Sequence, residues 1–174
     1  MRYNVAVGDG SESKNSQLYF NTNKGNGQAL TDALRSEALS KGIKVQNVNV
    51  ASIDSILANK DFAWKNCLQA SCNRFFIMKV DVEGFELDVL LGSTEIISRF
   101  QPRFVMEFNS FALTANRNLS PRSLLDFIID KFGKFEVIRD GVTSTVSSPT
   151  EIRDFIYSNM AGRGCVDDIM FGGA

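Results

Sequence analysis

The chain has 174 residues, 44% hydrophobic and 22% charged, with a formal net charge of -1. A composition so close to the soluble average, on a chain long enough to hide about 70% of the surface it exposes when unfolded, excludes wholesale disorder and predicts a single domain over residues 1–174. The small charge and the lack of a dense basic run speak against nucleic acid or a membrane surface as partner. With no apolar stretch near the roughly 20 residues of a membrane span, and no secretory leader pattern, a cytoplasmic location is expected.

In chain order, residues 3–7 read as a strand. Residues 8–28 are polar, rich in Ser, Asn, Lys and Gly, and read as an exposed hairpin-like loop interrupted by Leu18, Tyr19 and Phe20. Gly8 with Gly10 and Gly25 with Gly27 sit in these polar segments without a following amphipathic helix, so they read as turns, not phosphate cradles. Residues 29–39 have helical spacing with Gly42 beyond their end. Residues 44–50 read as a strand, and 52–57 as a helical turn in which Asp54 is a cap or surface residue. Residues 62–71 predict a helix carrying Trp64 and Leu68 into the core.

The run from Arg74 to Gly92 is where chemistry would sit. Residues 75–80 are apolar apart from Lys79, which predicts a strand covered on both faces of a parallel sheet. From Glu83 the period changes, and Phe85, Leu87, Val89, Leu90 and Leu91 fit a short helix that Gly92 ends. A strand that runs into a helix within a few residues puts Asp81 and Glu83 at its carboxyl end, the edge where open α/β sheets bind ligands. Acidic residues at a helix start are also favoured by the helix dipole alone, which is the competing explanation for Glu83 and Glu86.

A second strand, residues 103–109, ends in the same way with Glu107 and Asn109, followed by a predicted polar loop through Asn116 and Asn118. If the two strands are parallel neighbours, they lie roughly 5 Å apart, and Asp81 and Glu107 meet across one crevice. Closely spaced carboxylates share a proton, bind a cation, or take a proton from a substrate.

The remaining chain alternates. Residues 120–133 carry the fullest helix signature, with Ser120 as N-cap, Pro121 at the first position, an apolar face through Leu124, Leu125, Phe127, Ile128 and Phe132, and Gly133 as C-cap. Residues 135–138 predict a strand, 150–160 a helix and 168–171 a final strand, a succession that fits an α/β sheet. The three cysteines, Cys67, Cys72 and Cys165, form no complete zinc set and read as reduced and structural. The chain has no histidine, which removes the Ser-His-Asp arrangement and any histidine base. No metal site is assigned.

The segment 78–92, with Asp81, Glu83, Gly84, Glu86, Leu90 and Gly92 in order, followed by Pro102 and a strand ending in Glu107, closely resembles the FkbM-type family of S-adenosylmethionine-dependent methyltransferases. Residues 48–57 resemble that family's strand and Thr-Leu-Asp-Ser-Leu-Leu-like turn, and residues 6–10 its Ala-Leu-Ser-Asp segment. The resemblance implies a Rossmann-like methyltransferase sheet with helices on both faces and S-adenosylmethionine as cofactor. It also departs from the family. The opening strand, the Gly-x-x-x-Gly turn and the acidic second strand end that hold the cofactor have no counterpart here, so no cofactor-binding residue is assigned. The chain reads as the carboxyl-terminal part of such a domain, lacking its first two strands, with an open edge at residues 3–7 that invites oligomerisation.

The resemblance implies methyl transfer to a hydroxyl oxygen of a sugar, polyketide or other small metabolite or glycan acceptor. In that reading Asp81 is base or cation ligand, Glu83 shapes the acidic pocket, Glu107 with Asn109 holds the substrate, Gly84 keeps the helix start open to ligand, and Glu86 lies on the substrate side. The alternative is a non-catalytic partial domain, truncated or dependent on a partner for the cofactor half.

Overall fold

The computed structural model describes residues 5–9, 36, 37, 39–41, 49–58 and 77–173. The expected hairpin-like stretch, the helix carrying Trp64, and Cys67 and Cys72 lie outside them. Of the helix predicted over 29–39, residues 36, 37 and 39 are described and are helical. The chain divides into two compact units, Met1–Cys72 with Asp88–Thr94, and Asn73–Leu87 with Glu95–Ala174.

In the first unit, β1 (Val5–Val7) pairs in parallel with β2 (Asn49–Ala51), Val5 opposite Asn49 and Val7 opposite Ala51. One edge of β1 is therefore paired, by a strand of the same chain. Ser52 then starts α1 (Ile53–Ala58), its hydroxyl accepting from the Ser55 N–H at 3.0 Å. Asp54 serves local structure, as its residue type at a helix start suggests. Its N–H donates to the Gly92 carbonyl at 2.9 Å, and its carboxylate accepts from the Thr94 hydroxyl at 3.3 Å. Gly92 ends the preceding helix as expected, but its identity has a second cause. A Cβ there would sit 2.0 Å from the Gly8 carbonyl oxygen, so only glycine permits the approach.

The second unit is built on a five-stranded mixed sheet. Its strands are β3 (Ile77–Val80), β4 (Arg103–Asn109), β5 (Phe135–Arg139), β6 (Val142–Val146) and β7 (Val166–Gly172), in the spatial order β3-β4-β7-β5-β6. Only β3 and β4 are parallel; β7 runs antiparallel to both β4 and β5, and β5 to β6. Helices α2 (Glu86–Leu91) and α3 (Thr94–Phe100) are divided between the two units at Asp88 and Glu95, whereas α4 (Ser110–Arg117), α5 (Pro121–Phe132) and α6 (Pro149–Gly162) belong to this unit. Local sequence accounts for the clearest ends. Ser120 caps α5, Gly133 closes it in the left-handed region at φ 76°, and Ser148 and Glu151 form a reciprocal capping box on α6.

Burial alternates along β4, with Phe104, Met106 and Phe108 fully enclosed and their neighbours half-buried. The ring of Phe104 packs on Phe132 of α5 and Phe171 of β7, while Phe155 of α6 packs on Phe108 and Phe135. These contacts put α5 and α6 on the same face, where each large apolar side chain contributes about 1.5–3 kcal/mol through burial. Burial on both faces, expected for the first of these strands, does not occur. Ile77 remains 60% exposed and Lys79 is exposed, because β3 is the edge of the described sheet and β4 buries one face only.

Two elements differ from expectation. The polar stretch after Asn109 is helix α4 and not a loop, because Ala112, Leu113 and Asn116 bury one face of it. Between β5 and the last helix lies a strand the periodicity does not signal, β6, joined to β5 by Asp140 and Gly141 with φ 51° and 78°. Positive φ at both positions of a two-residue loop is the hairpin geometry that an Asp-Gly pair favours.

Candidate functional site

The site lies at the carboxyl ends of β3 and β4. Their parallel register pairs Val80 with Met106, and one further step sets Asp81 level with Glu107. Val80 and Met106 point into the core, so the alternation of a strand turns Asp81 and Glu107 to the other face, away from the phenylalanine cluster.

Beyond Asp81 the chain turns sharply. Glu83 adopts a left-handed conformation at φ 53°, Gly84 follows at φ 105°, and the Phe85 N–H reaches back to the Val82 carbonyl at 3.4 Å. This turn swings the Glu83 carboxylate toward the strand ends. Asp81, Glu83 and Glu107 each offer a carboxylate oxygen within 4.8 Å of the other two. The three residues singled out as catalytic from sequence thus converge. Their spacing suits a shared proton or a hard cation bound through oxygen.

Charge within the group is uneven. Lys79 donates to Asp81 at 3.0 Å across the exposed edge, and this hydrogen bond and charge, aided by Glu107 and Asp168, raise the lysine's proton affinity. Burial pushes the Glu107 carboxyl above its ordinary range, the Asp81 and Glu83 charges push it further, a hydrogen bond with the Asn109 side chain pulls it back, and Asp168 adds a smaller push. Asp168 stands directly opposite Glu107 in the antiparallel β4 and β7 pair. The sequence places it only in a final strand, because nothing local announces which strand β7 will join.

The expected substrate-side residues divide. Asn109 ends β4 and its side-chain oxygen caps α4, accepting from the Ala112 N–H at 2.9 Å. Gly84 does not hold the helix start open. It is buried, and a Cβ on it would lie 2.7 Å from the Ala112 carbonyl oxygen, so α4 backbone fills the space a ligand was expected to use. Glu86 is 1% exposed. Its Oε1 accepts from the Gly84 N–H at 3.0 Å and its Oε2 has no partner; burial raises this carboxyl despite the nearby backbone donors. It closes the turn beneath the site and presents no surface to a ligand.

Helix α4 holds this arrangement. Asn116 donates from Nδ2 to the Glu83 carbonyl at 3.0 Å. At the other end Ser110 donates from Oγ to Asn159 at 2.5 Å, and Asn159 donates to Asp167 at 2.9 Å. Asp167 is clasped by Arg139 through two bonds of 2.7 Å. Burial alone would raise the Asp167 carboxyl, but the bonds from Arg139 and Asn159 outweigh it and hold it below its ordinary value. Sequence inspection misses the roles of Ser110, Asn116 and Asn159, since nothing local shows that these polar residues are buried or which distant groups they bond.

Among the described residues no helix is long and apolar enough to cross a membrane. No curated protein and no solved structure matches the chain. The family model of the methyltransferase FkbM domain matches residues 1–160, nearly the whole chain, and the protein belongs to that family.

Proposed function

We propose that the protein is an S-adenosylmethionine-dependent methyltransferase that methylates a hydroxyl oxygen of a sugar, polyketide or other small-metabolite acceptor. The observation that carries the reading is the convergence of Asp81, Glu83 and Glu107 within 4.8 Å in a member of a methyltransferase family whose sequence contains no histidine.

An alcohol attacks carbon poorly while it keeps its proton, so the acceptor needs a base at its hydroxyl. In this proposal Asp81 and Glu107 flank that hydroxyl. Glu107 takes the proton, because burial and two neighbouring carboxylates increase its affinity for it. Glu83 keeps the local potential negative, and Lys79 offsets part of the accumulated charge on the exposed side. Asn109 orients Glu107 while capping α4.

The donor set agrees with the methyl donor in charge, since negative carboxylates attract the positive sulfonium. When bound, S-adenosylmethionine supplies an electrophilic methyl group. The donor would leave as S-adenosylhomocysteine, and Asp81 with Glu107 would take the proton that the acceptor hydroxyl gives up.

The reading is tested by calorimetric titration of S-adenosylmethionine and S-adenosylhomocysteine into the folded chain, followed by transfer of labelled methyl to a panel of hydroxylated acceptors. Saturable binding and transfer that is lost in Asp81→Asn support it. A folded chain that binds neither ligand supports instead a non-catalytic domain, or one whose cofactor half comes from a partner.

A further inference from the structure

Glu83 is the one member of the acidic group whose backbone sits in a left-handed conformation, at φ 53°. A residue with a Cβ persists there only when its surroundings determine it. Gly84, the next residue, is held against the Ala112 carbonyl, which fixes the far side of the turn. Glu83 itself is met by Asn116, whose Nδ2 donates to its carbonyl at 3.0 Å from thirty-three residues away in sequence.

Asn116 is buried, and it lies on a helix anchored at both ends. Asn109 caps its start, the Ser110, Asn159 and Asp167 chain ties its first turn to α6 and β7, and Asn118 closes it in the left-handed region with its N–H on the Leu113 and Thr114 carbonyls. The amide is therefore presented from a rigid base to a carbonyl whose direction sets the turn. Glu107 belongs to the strand that ends where α4 begins, so the same helix fixes both carboxylates.

We propose that Asn116 is a positioning residue that sets Glu83 against Glu107, holding the Glu83 backbone left-handed so that its carboxylate reaches the strand ends. The role of Glu83 in that sentence rests on the methyltransferase reading above; the conformational claim does not.

The test is nuclear magnetic resonance on the isotopically labelled full chain. The left-handed backbone of Glu83 is read from its intraresidue amide to α-proton cross-peak and its Cα and Cβ shifts. Asn116→Asp keeps the size but puts an acceptor where the donor stood, and Asn116→Ala removes the group. Both are expected to lose the left-handed signature at Glu83 while the shifts of β4 and β7 persist. Asn116→Gln, which keeps an amide on a longer stem, is expected to restore it in part. If both Asp and Ala variants fold and retain the wild-type signature at Glu83, Asn116 only packs and the proposal is overturned. If neither folds, the Asn116 side-chain amide protons of the wild type decide: protection from solvent exchange supports the bond to the Glu83 carbonyl, and fast unprotected exchange overturns the proposal. Because no readout involves methyl transfer, failure here and failure of the enzymatic reading are separate results.

Discussion

Asp81 and Glu107 stand level at the carboxyl ends of two parallel strands, one step beyond the paired Val80 and Met106, and with Glu83 they bring three carboxylate oxygens within 4.8 Å. Neither position is needed for the core, which lies on the opposite face with Phe104 and Phe108. Carboxylates crowded where packing does not require them are the kind of arrangement found at sites of proton or cation chemistry.

Replacing Asp81 by Asn should therefore separate chemistry from stability. Asp81 is exposed and its ion pair with Lys79 lies at the surface, so unfolding free energy should change by no more than about 0.5 kcal/mol. Methyl transfer should fall by about 10²–10⁴, the range for an impaired acid–base group, because Glu107 takes a proton less readily without the Asp81 charge beside it. Denaturant titration alongside a transfer assay checks both halves.

Glycine positions give a contrast in stability. Gly84→Ala forces a Cβ to 2.7 Å from a backbone oxygen at φ 105°, and neither atom can step aside; a loss of about 2–3 kcal/mol is expected. Gly133→Ala meets nothing within 4 Å and suffers only its left-handed conformation at φ 76°, for about 1 kcal/mol. Thermal midpoints of the two variants, compared with the wild type, should keep that order.

Glu86 makes stability depend on pH in a direction opposite to most carboxylates. Its folded-state proton affinity is raised by burial above the ordinary value of 4.5, so the folded protein holds the proton more tightly than the unfolded chain. The stabilisation is complete below that ordinary value and is lost as pH rises through the folded one. Glu86→Gln should flatten this part of the profile, leaving the effect of the same sign from Glu107. Unfolding measured across the weakly acidic range reads the slope.

Asp167 behaves in the usual way. Its carboxyl is held low by Arg139 and Asn159 against the opposing effect of burial, so its contribution is present above the unfolded value and fades as pH falls through the folded one. Arg139→Met leaves that carboxylate, with a side chain only 1% exposed, short of its main partner, and should cost about 3–5 kcal/mol. A double variant, Arg139→Met with Asp167→Leu, should recover part of the loss in chemical denaturation.

How much of this was legible depended on whether the cause was local. Helix α5 announces itself through Ser120, Pro121 and Gly133, all acting within one turn of their own positions. Asp81, Glu83 and Glu107 could be singled out because two apolar runs end in acid, although only the parallel register brings them together. Helix α4 was hidden because Ser110 and Asn116 are polar yet buried, and their partners, Asn159 and the Glu83 carbonyl, are distant in sequence. The burial of Gly84 is hidden for the same reason, since the Ala112 carbonyl that covers it comes from that helix. The strand β6 did leave a signal, the Asp140 and Gly141 pair, which a search for hairpin turns would find.

The central claim is that Asp81 and Glu107 act as one acid–base unit. Titration of the side-chain carboxyl carbons by nuclear magnetic resonance, in wild type and Asp81→Asn, tests it without a ligand. The account predicts that Glu107 titrates above the ordinary carboxylate range and moves down when the Asp81 charge is removed. A Glu107 that titrates in the ordinary range, or one that does not respond to loss of Asp81, would contradict it.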